Sequence, residues 1–147
     1  MRRKMSLGLL LLLLALLVAQ AIPVSRSNPP VTGDIAAPPE IAATLRGACY
    51  DCHSNETVWP WYSHVAPASW LLASDVHEGR EELNFSLWTS YSEKKKAKKL
   101  KEMADEIRDG DMPPWYYEVM HAHASMNELQ RDALLQWLAG ERAKAGH

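Results

Sequence analysis

The chain has 147 residues, enough for one domain, and carries 16 basic against 18 acidic residues. Three of the basic residues, Arg2, Arg3 and Lys4, sit in an apolar leader. Without them 13 face 18, about −5 with His neutral, which argues against a nucleic-acid binder because that function needs a strongly positive face.

The leader, MRRKMSLGLLLLLLALLVAQA, has the plan of a secretory signal. A positive end is followed by an apolar run from Leu7 to Ala19, broken only by Gly8, and then by the small residues Ala19 and Ala21. Counted from Leu7 to Val24 the run is about 18 residues, the short end of what spans a bilayer (roughly 17–25). Arg2, Arg3 and Lys4 would stay in the cytoplasm. Residues 1–24 therefore read as an N-terminal hydrophobic helix acting as an uncleaved single-pass anchor. The alternative is a signal peptide cut near Ala21, leaving a soluble periplasmic protein. Either way the rest is exported to the periplasmic side of the cytoplasmic membrane.

Residues 22–39, IPVSRSNPPVTGDIAAPP, hold five of the nine prolines and no long apolar period. The stretch 25–39 is expected to be an extended, Pro-rich tether between membrane and domain. The domain proper is 40–147. Pro39 suits the first position of a helix. Ile41, Leu45, Ala48 and Cys52 follow at helical spacing, which places CYDCH, residues 49–53, on or just past the last turn.

Residues 54–70, SNETVWPWYSHVAPASW, are aromatic and broken by Pro60 and Pro67, an irregular wrap. A short helix after Pro67 is predicted. Ser90 with Glu93 forms a capping box for a helix ending at Gly110, with Ala97, Leu100, Met103, Ala104 and Ile107 inward. Ser125 with Glu128 opens the last helix. There Leu129, Ala133, Trp137, Leu134 and Leu138 are the predicted buried stripe, and Gly140 the stop. The fold class is all-α, with about four helices and long loops. So little regular structure leaves Trp59, Trp61, Trp70, Trp88 and Trp115 without enough core to cover, a lack that a large apolar cofactor would fill.

CYDCH contains both cysteines. A disulfide across two intervening residues closes a tiny loop and restrains the unfolded chain little. A thioredoxin-like pair expects a βαβ neighbourhood that is not visible, and zinc expects a second ligand pair. Cys-x-x-Cys-His is the attachment signal for c-type haem and uses every residue. Cys49 and Cys52 would each bond one vinyl group, and His53 would lie under the iron as an axial ligand. For the other face Met112 leads, because DGDMPPWYY holds it on a loop stiffened by Pro113 and Pro114. His121 is the runner-up, and His64, His77 and His123 read as ordinary side chains. Trp59, Trp61, Tyr62 and Trp115 are expected to shield the haem.

The run EKKKAKKLKE, with acids collected at the helix end, reverses the preference of the helix dipole. It reads either as a solvated face or, at Lys94–Lys101, as a docking site for an acidic redox partner.

The stretch CYDCHSNETVWPWYSHVAPASWLLASDVHEGREELNFSLW, with NPPVTGDI before it and the Met-Pro loop after it, closely resembles the bacterial haem-binding domain family of small exported monohaem proteins. The resemblance runs from about Asn28 to Trp137. It implies one haem c on Cys49 and Cys52, made by the cytochrome c maturation machinery, with His53 as proximal ligand. Met112 sits in the family's Met-Pro loop, and His121 stands where the family often has a histidine. It also implies an uncleaved N-terminal anchor, and the Met-Pro loop is similar to that of class I cytochromes c. The function expected is a one-electron carrier with no turnover of its own. A haem-based sensor or gas binder, or a small peroxidase-like enzyme using His121, are the alternatives.

Overall fold

The computed structural model describes residues 2–145, with side chains from residue 7 onward. Among the described residues there are seven α-helices and no strand, only an isolated bridge between Gly33 and Leu87. The helices are α1 Arg2–Gln20, α2 Pro39–Ala48, α3 Tyr50–His53, α4 Ala68–Glu82, α5 Glu93–Asp109, α6 Trp115–Met120 and α7 Glu128–Ala145. Short 3-10 turns lie at Trp61–His64, Trp88–Ser90 and Ala122–Ala124.

The leucines of α1 are largely exposed at 7, 9–14, 16 and 17, so no single face is covered by protein. Among the described residues no helix is long and apolar enough to cross a membrane.

Residues 25–39 are not the free tether expected from their prolines. Thr32 and Gly33 donate their N–H groups to Ser86 O, and Asn55 Nδ2 donates to Pro30 O. Arg80 donates to Ser27 O and Asn28 Oδ1. Prolines deprive the segment of self-made structure, not of partners, and its remaining backbone groups pair with the body.

Pro39 occupies the first turn of α2, as its missing N–H permits. Ile41 and Leu45 point inward from α2 and join Tyr50, Leu83, Phe85, Trp88, Leu100, Met103, Ala104, Ile107, Leu134 and Leu138 in one core. Leu100, Met103, Ala104 and Ile107 of α5 face inward as their spacing predicts, while Ala97 is only partly buried and Lys99 is buried in its stead. The cap of α5 differs. Ser92, not Ser90, accepts the Lys95 N–H, while Ser90 Oγ donates to Leu87 O inside a 3-10 turn. Gly110 ends α5 at φ 81°, the left-handed conformation that favours glycine.

The helix α7 departs further. Asn127 and Gln130 exchange the two capping hydrogen bonds, each side chain accepting the other's N–H. Ser125 and Glu128 make no such pair. Leu129 lies in the first turn beyond the core and is 82 % exposed, and Ala133 is exposed as well, so the buried stripe narrows to Leu134 and Leu138 with Trp137 partly covered. Gly140 does not stop the helix, which runs on to Ala145. A lone glycine costs a helix only about 1 kcal/mol, and Glu141, Arg142 and Lys144 are good helix formers.

Candidate functional site

Helix α2 carries Cys49 as its C-terminal cap, and α3 starts at once with the other four residues of CYDCH. His53 N–H donates to Cys49 O at 2.9 Å, which closes the motif into a turn. Against it packs α4, and the fit depends on Gly79. A Cβ there would stand 2.7 Å from Cys52 O, closer than real contacts allow.

That close approach fixes the histidine. Its Nδ1 lies 2.8 Å from Gly79 O and 3.2 Å from Leu83 O. Carbonyls only accept, so Nδ1 bears the proton and Nε2 is the basic nitrogen left for another partner. Burial lowers the His53 pKa, against the upward pull of the two carbonyls, and so favours this neutral form. Phe85 N–H donates to His53 O at 2.8 Å, tying the segment after α4 to the same residue.

Both thiols are free. Burial, then the neighbouring Cys52, pushes the Cys49 thiol up to about 12. Burial, then the charges of Asp75 and Asp51, pushes Cys52 up to about 12 as well. Both therefore stay protonated at neutral pH. Among the described residues no three His, Cys, Asp or Glu side chains converge on a metal position.

Cys49, Cys52 and His53 line one side of a cavity of about 510 Å³, within the range of pockets that hold small molecules and cofactors. Leu83, Phe85, Met103 and Ile107 give it apolar walls. Met112, Pro113 and Pro114 close it from the loop after α5, with Tyr116 and Tyr117 from α6. The Met112 loop is held at its base by Glu106 O, which accepts from Gly110, Asp111 and Met112.

The aromatic assignment changes. Trp59, Trp61, Tyr62 and Trp115 do not line this cavity, and Trp61 and Trp115 are 76 % and 74 % exposed. Trp88 lies in the core. The wall is made by Phe85, Tyr116 and Tyr117, with the aliphatic Leu83 and Ile107.

His121 is also outside the lining. Its Nδ1 donates to Tyr117 O at 3.0 Å, so in the neutral ring Nε2 accepts from Tyr62 at 2.8 Å. The ring stacks on Tyr117 at 3.9 Å. His121 is a brace: Tyr117, which it supports, donates its hydroxyl to Asp51 inside the CYDCH turn at 2.5 Å. His64 and His77 make no contact with the cavity, and His123 packs on His121.

Sequence reasoning passed over Gly79 and Arg80. Arg80 donates to Ser54 O, Ser27 O, Asn28 Oδ1 and Thr57 Oγ1, pinning the exit of CYDCH to the proline-rich segment. The available signal was an isolated glycine in the helical stretch DVHEGREE, which marks a close approach.

The charged lining is acidic: Asp75, Glu78, Glu82, Glu102 and Glu106, with Lys99 as its cation. Lys99 is held by Glu82 at 3.3 Å and Glu102 at 2.8 Å. Lys96, Lys98 and Lys101 pair with Glu93, Glu102 and Asp105. Lys95 lies over the Tyr91 ring at 3.9 Å. The reversed charge order of this helix is thus largely answered by its own ion pairs.

The profile of the haem-binding domain matches residues 14–140, nearly the whole chain. The chain belongs to the haem-binding domain family. It is a haem-binding protein of all-helical fold. Comparison with curated proteins and with solved structures gave no match.

The residues present fit a haem. Two protonated thiols three positions apart, an imidazole with Nδ1 saturated and Nε2 spare, and a thioether at Met112 all line one apolar-walled cavity.

Proposed function

We propose that the protein is a c-type cytochrome with a single haem, passing one electron at a time at the outer face of the cytoplasmic membrane. The observation that carries this reading is the state of His53. Its Nδ1–H is committed to Gly79 O and Leu83 O, as is usual for a metal-bound imidazole with its orientation fixed by a second shell.

Cys49 and Cys52 would hold the haem through thioethers, His53 would ligate iron through Nε2, and Met112 would supply a thioether ligand. The bound group supplies reversible one-electron chemistry at iron. The chain's own residues orient and shield. Gly79 and Arg80 fix the CYDCH turn, the Tyr117–Asp51 hydrogen bond braces it from α6, and Leu83, Phe85 and Ile107 keep water from the wall. Thioether ligation and apolar walls both favour the ferrous state.

A sensor or gas binder is the second reading, favoured by the 38 % exposure of Met112 on a loop anchored through Glu106 O. The peroxidase-like reading loses its residue, because both His121 ring nitrogens are engaged away from the cavity.

We further read α1, which falls short of a full membrane span, as the membrane anchor. Its leucines are exposed around the whole helix, which suits lipid better than a protein groove. Arg2, Arg3 and Lys4 favour a cytoplasmic start. A redox partner using Lys94–Lys101 would compete with the ion pairs of Lys96, Lys98, Lys99 and Lys101 and with the seat of Lys95 on Tyr91, which leaves Lys94 as its readiest contact.

Absorption spectra of both redox states test the reading. The carrier predicts a six-coordinate, low-spin haem indifferent to carbon monoxide, and Met112→Ala should make the ferrous form bind the gas. Rapid binding by the unaltered protein would favour the sensor. Met112→Ala with an unchanged spectrum would remove Met112 as the ligand.

A further inference from the structure

The anchor is short. From Leu7 to Ala19 the apolar helix rises only about 20 Å at 1.5 Å per residue, against a hydrocarbon core about 30 Å thick. A short span is accommodated by thinning the bilayer or by drawing its flanking residues into the interface.

What flanks α1 is fixed by two contacts. Gln20, its last residue, is clamped to the backbone of Ala66: Nε2 donates to Ala66 O at 3.3 Å, and Oε1 accepts from Ala66 N at 3.1 Å. Arg26 then donates to Ser63 O at 3.1 Å. The turn Trp61–His64 therefore moves with the end of the anchor. Drawing Gln20 toward the hydrocarbon draws that turn with it.

The turn and its neighbour present apolar side chains outward. Trp61 is 76 % exposed and Val65 45 %. Tyr62, between them, donates to His121, which places the end of α6 alongside. There Val119 and Met120 are 74 % and 59 % exposed. Tryptophan is favoured at headgroup level, and Arg26, hydrogen-bonded to that turn, suits anionic lipid.

We propose that Trp61, Val65, Val119 and Met120 form a membrane-resting face seated at the headgroup boundary of the bilayer that takes α1. The domain then lies on the membrane instead of hanging from a tether. The inference rests on the reading of α1 as an anchor. It also accounts for Gln20 and Arg26, which no haem role requires, and for the exposed Trp61, which the cavity does not use.

The test uses the haem-loaded full chain in vesicles containing anionic lipid. Single cysteines replacing Trp61, Val65 or Val119, and Leu129 on α7 as the reference, are labelled with a nitroxide. Accessibility to oxygen and to a water-soluble nickel complex is then measured. The expected result is an oxygen-to-nickel ratio several-fold higher at 61, 65 and 119 than at 129, in protein that resists carbonate extraction. Equal, water-like ratios at all four positions in carbonate-resistant protein would overturn the resting face and leave the anchor standing. Release of the unaltered chain by carbonate would overturn the anchor, and the face with it.

Discussion

Two glycines inside helices should respond to the same substitution with opposite sign. At Gly79 an alanine Cβ would meet Cys52 O at 2.7 Å, Cys52 C at 3.1 Å and Cys52 Cβ at 3.2 Å. These atoms cannot yield freely, since His53 holds Gly79 O on one side and Arg80 holds Ser54 O on the other. Overpacking of this kind costs about 1–3 kcal/mol. Loosening the His53 hydrogen bonds adds about 1 kcal/mol, and the helix propensity of alanine returns about 1 kcal/mol. Gly79→Ala should therefore destabilise by about 1–3 kcal/mol. At Gly140 nothing lies within 4 Å of the added Cβ and the helix continues, so Gly140→Ala should stabilise by about 0.5–1 kcal/mol. Thermal melting of the haem-loaded protein followed by circular dichroism reads both, at about 2–4 °C per kcal/mol for a chain of this size. A Gly79→Ala protein as stable as its parent would refute the close packing of α4 on the motif. A destabilised Gly140→Ala protein would refute the continuation of α7.

Arg80→Ala removes four hydrogen bonds that join the motif exit to the proline-rich segment. A loss of about 2–4 kcal/mol is expected in urea unfolding, and a change below about 0.5 kcal/mol would contradict the pinning role. Ser92→Ala should cost about 1 kcal/mol as a lost cap; Ser90→Ala should cost less, and the reverse order would restore Ser90 as the cap. Burial, then the charge of Glu78, raises the Asp75 pKa despite the hydrogen bond from Tyr116. A raised carboxylate favours folding below its unfolded value, and that contribution is lost as pH rises through the folded value. Asp75→Asn should therefore gain stability relative to the parent between pH 3.8 and neutrality, measured as urea midpoints; a constant difference across that range would refute it.

Much of the site was legible because its chemistry is local. CYDCH is contiguous, a helix end before it follows from Pro39 and the spacing of Ile41 and Leu45, and two prolines mark the Met112 loop. The cavity wall was not legible. Aromatic content shows that large side chains need cover but not where each one points. Thus Trp61 and Trp115 face outward, while Phe85 and Tyr117 line the wall. Helix starts were mislocated for a related reason: serines two residues apart offer similar capping patterns, and only the backbone path chooses Ser92 over Ser90. His121 stood beside the loop in sequence yet braces Tyr117, because both of its nitrogens find partners there. The proline-rich segment read as a tether because its partners Asn55, Arg80 and Ser86 lie far along the chain.

The central claim is covalent attachment of one haem at Cys49 and Cys52. The direct measurement is the mass of the denatured chain, isolated from membranes of cells with an active cytochrome maturation apparatus, after acid–solvent extraction of loose haem. The account predicts an intact chain heavier by one haem, with Cys49→Ala, Cys52→Ala double replacement returning the mass of the polypeptide alone. A folded, unaltered chain whose haem is fully extracted, or that carries none, would contradict it.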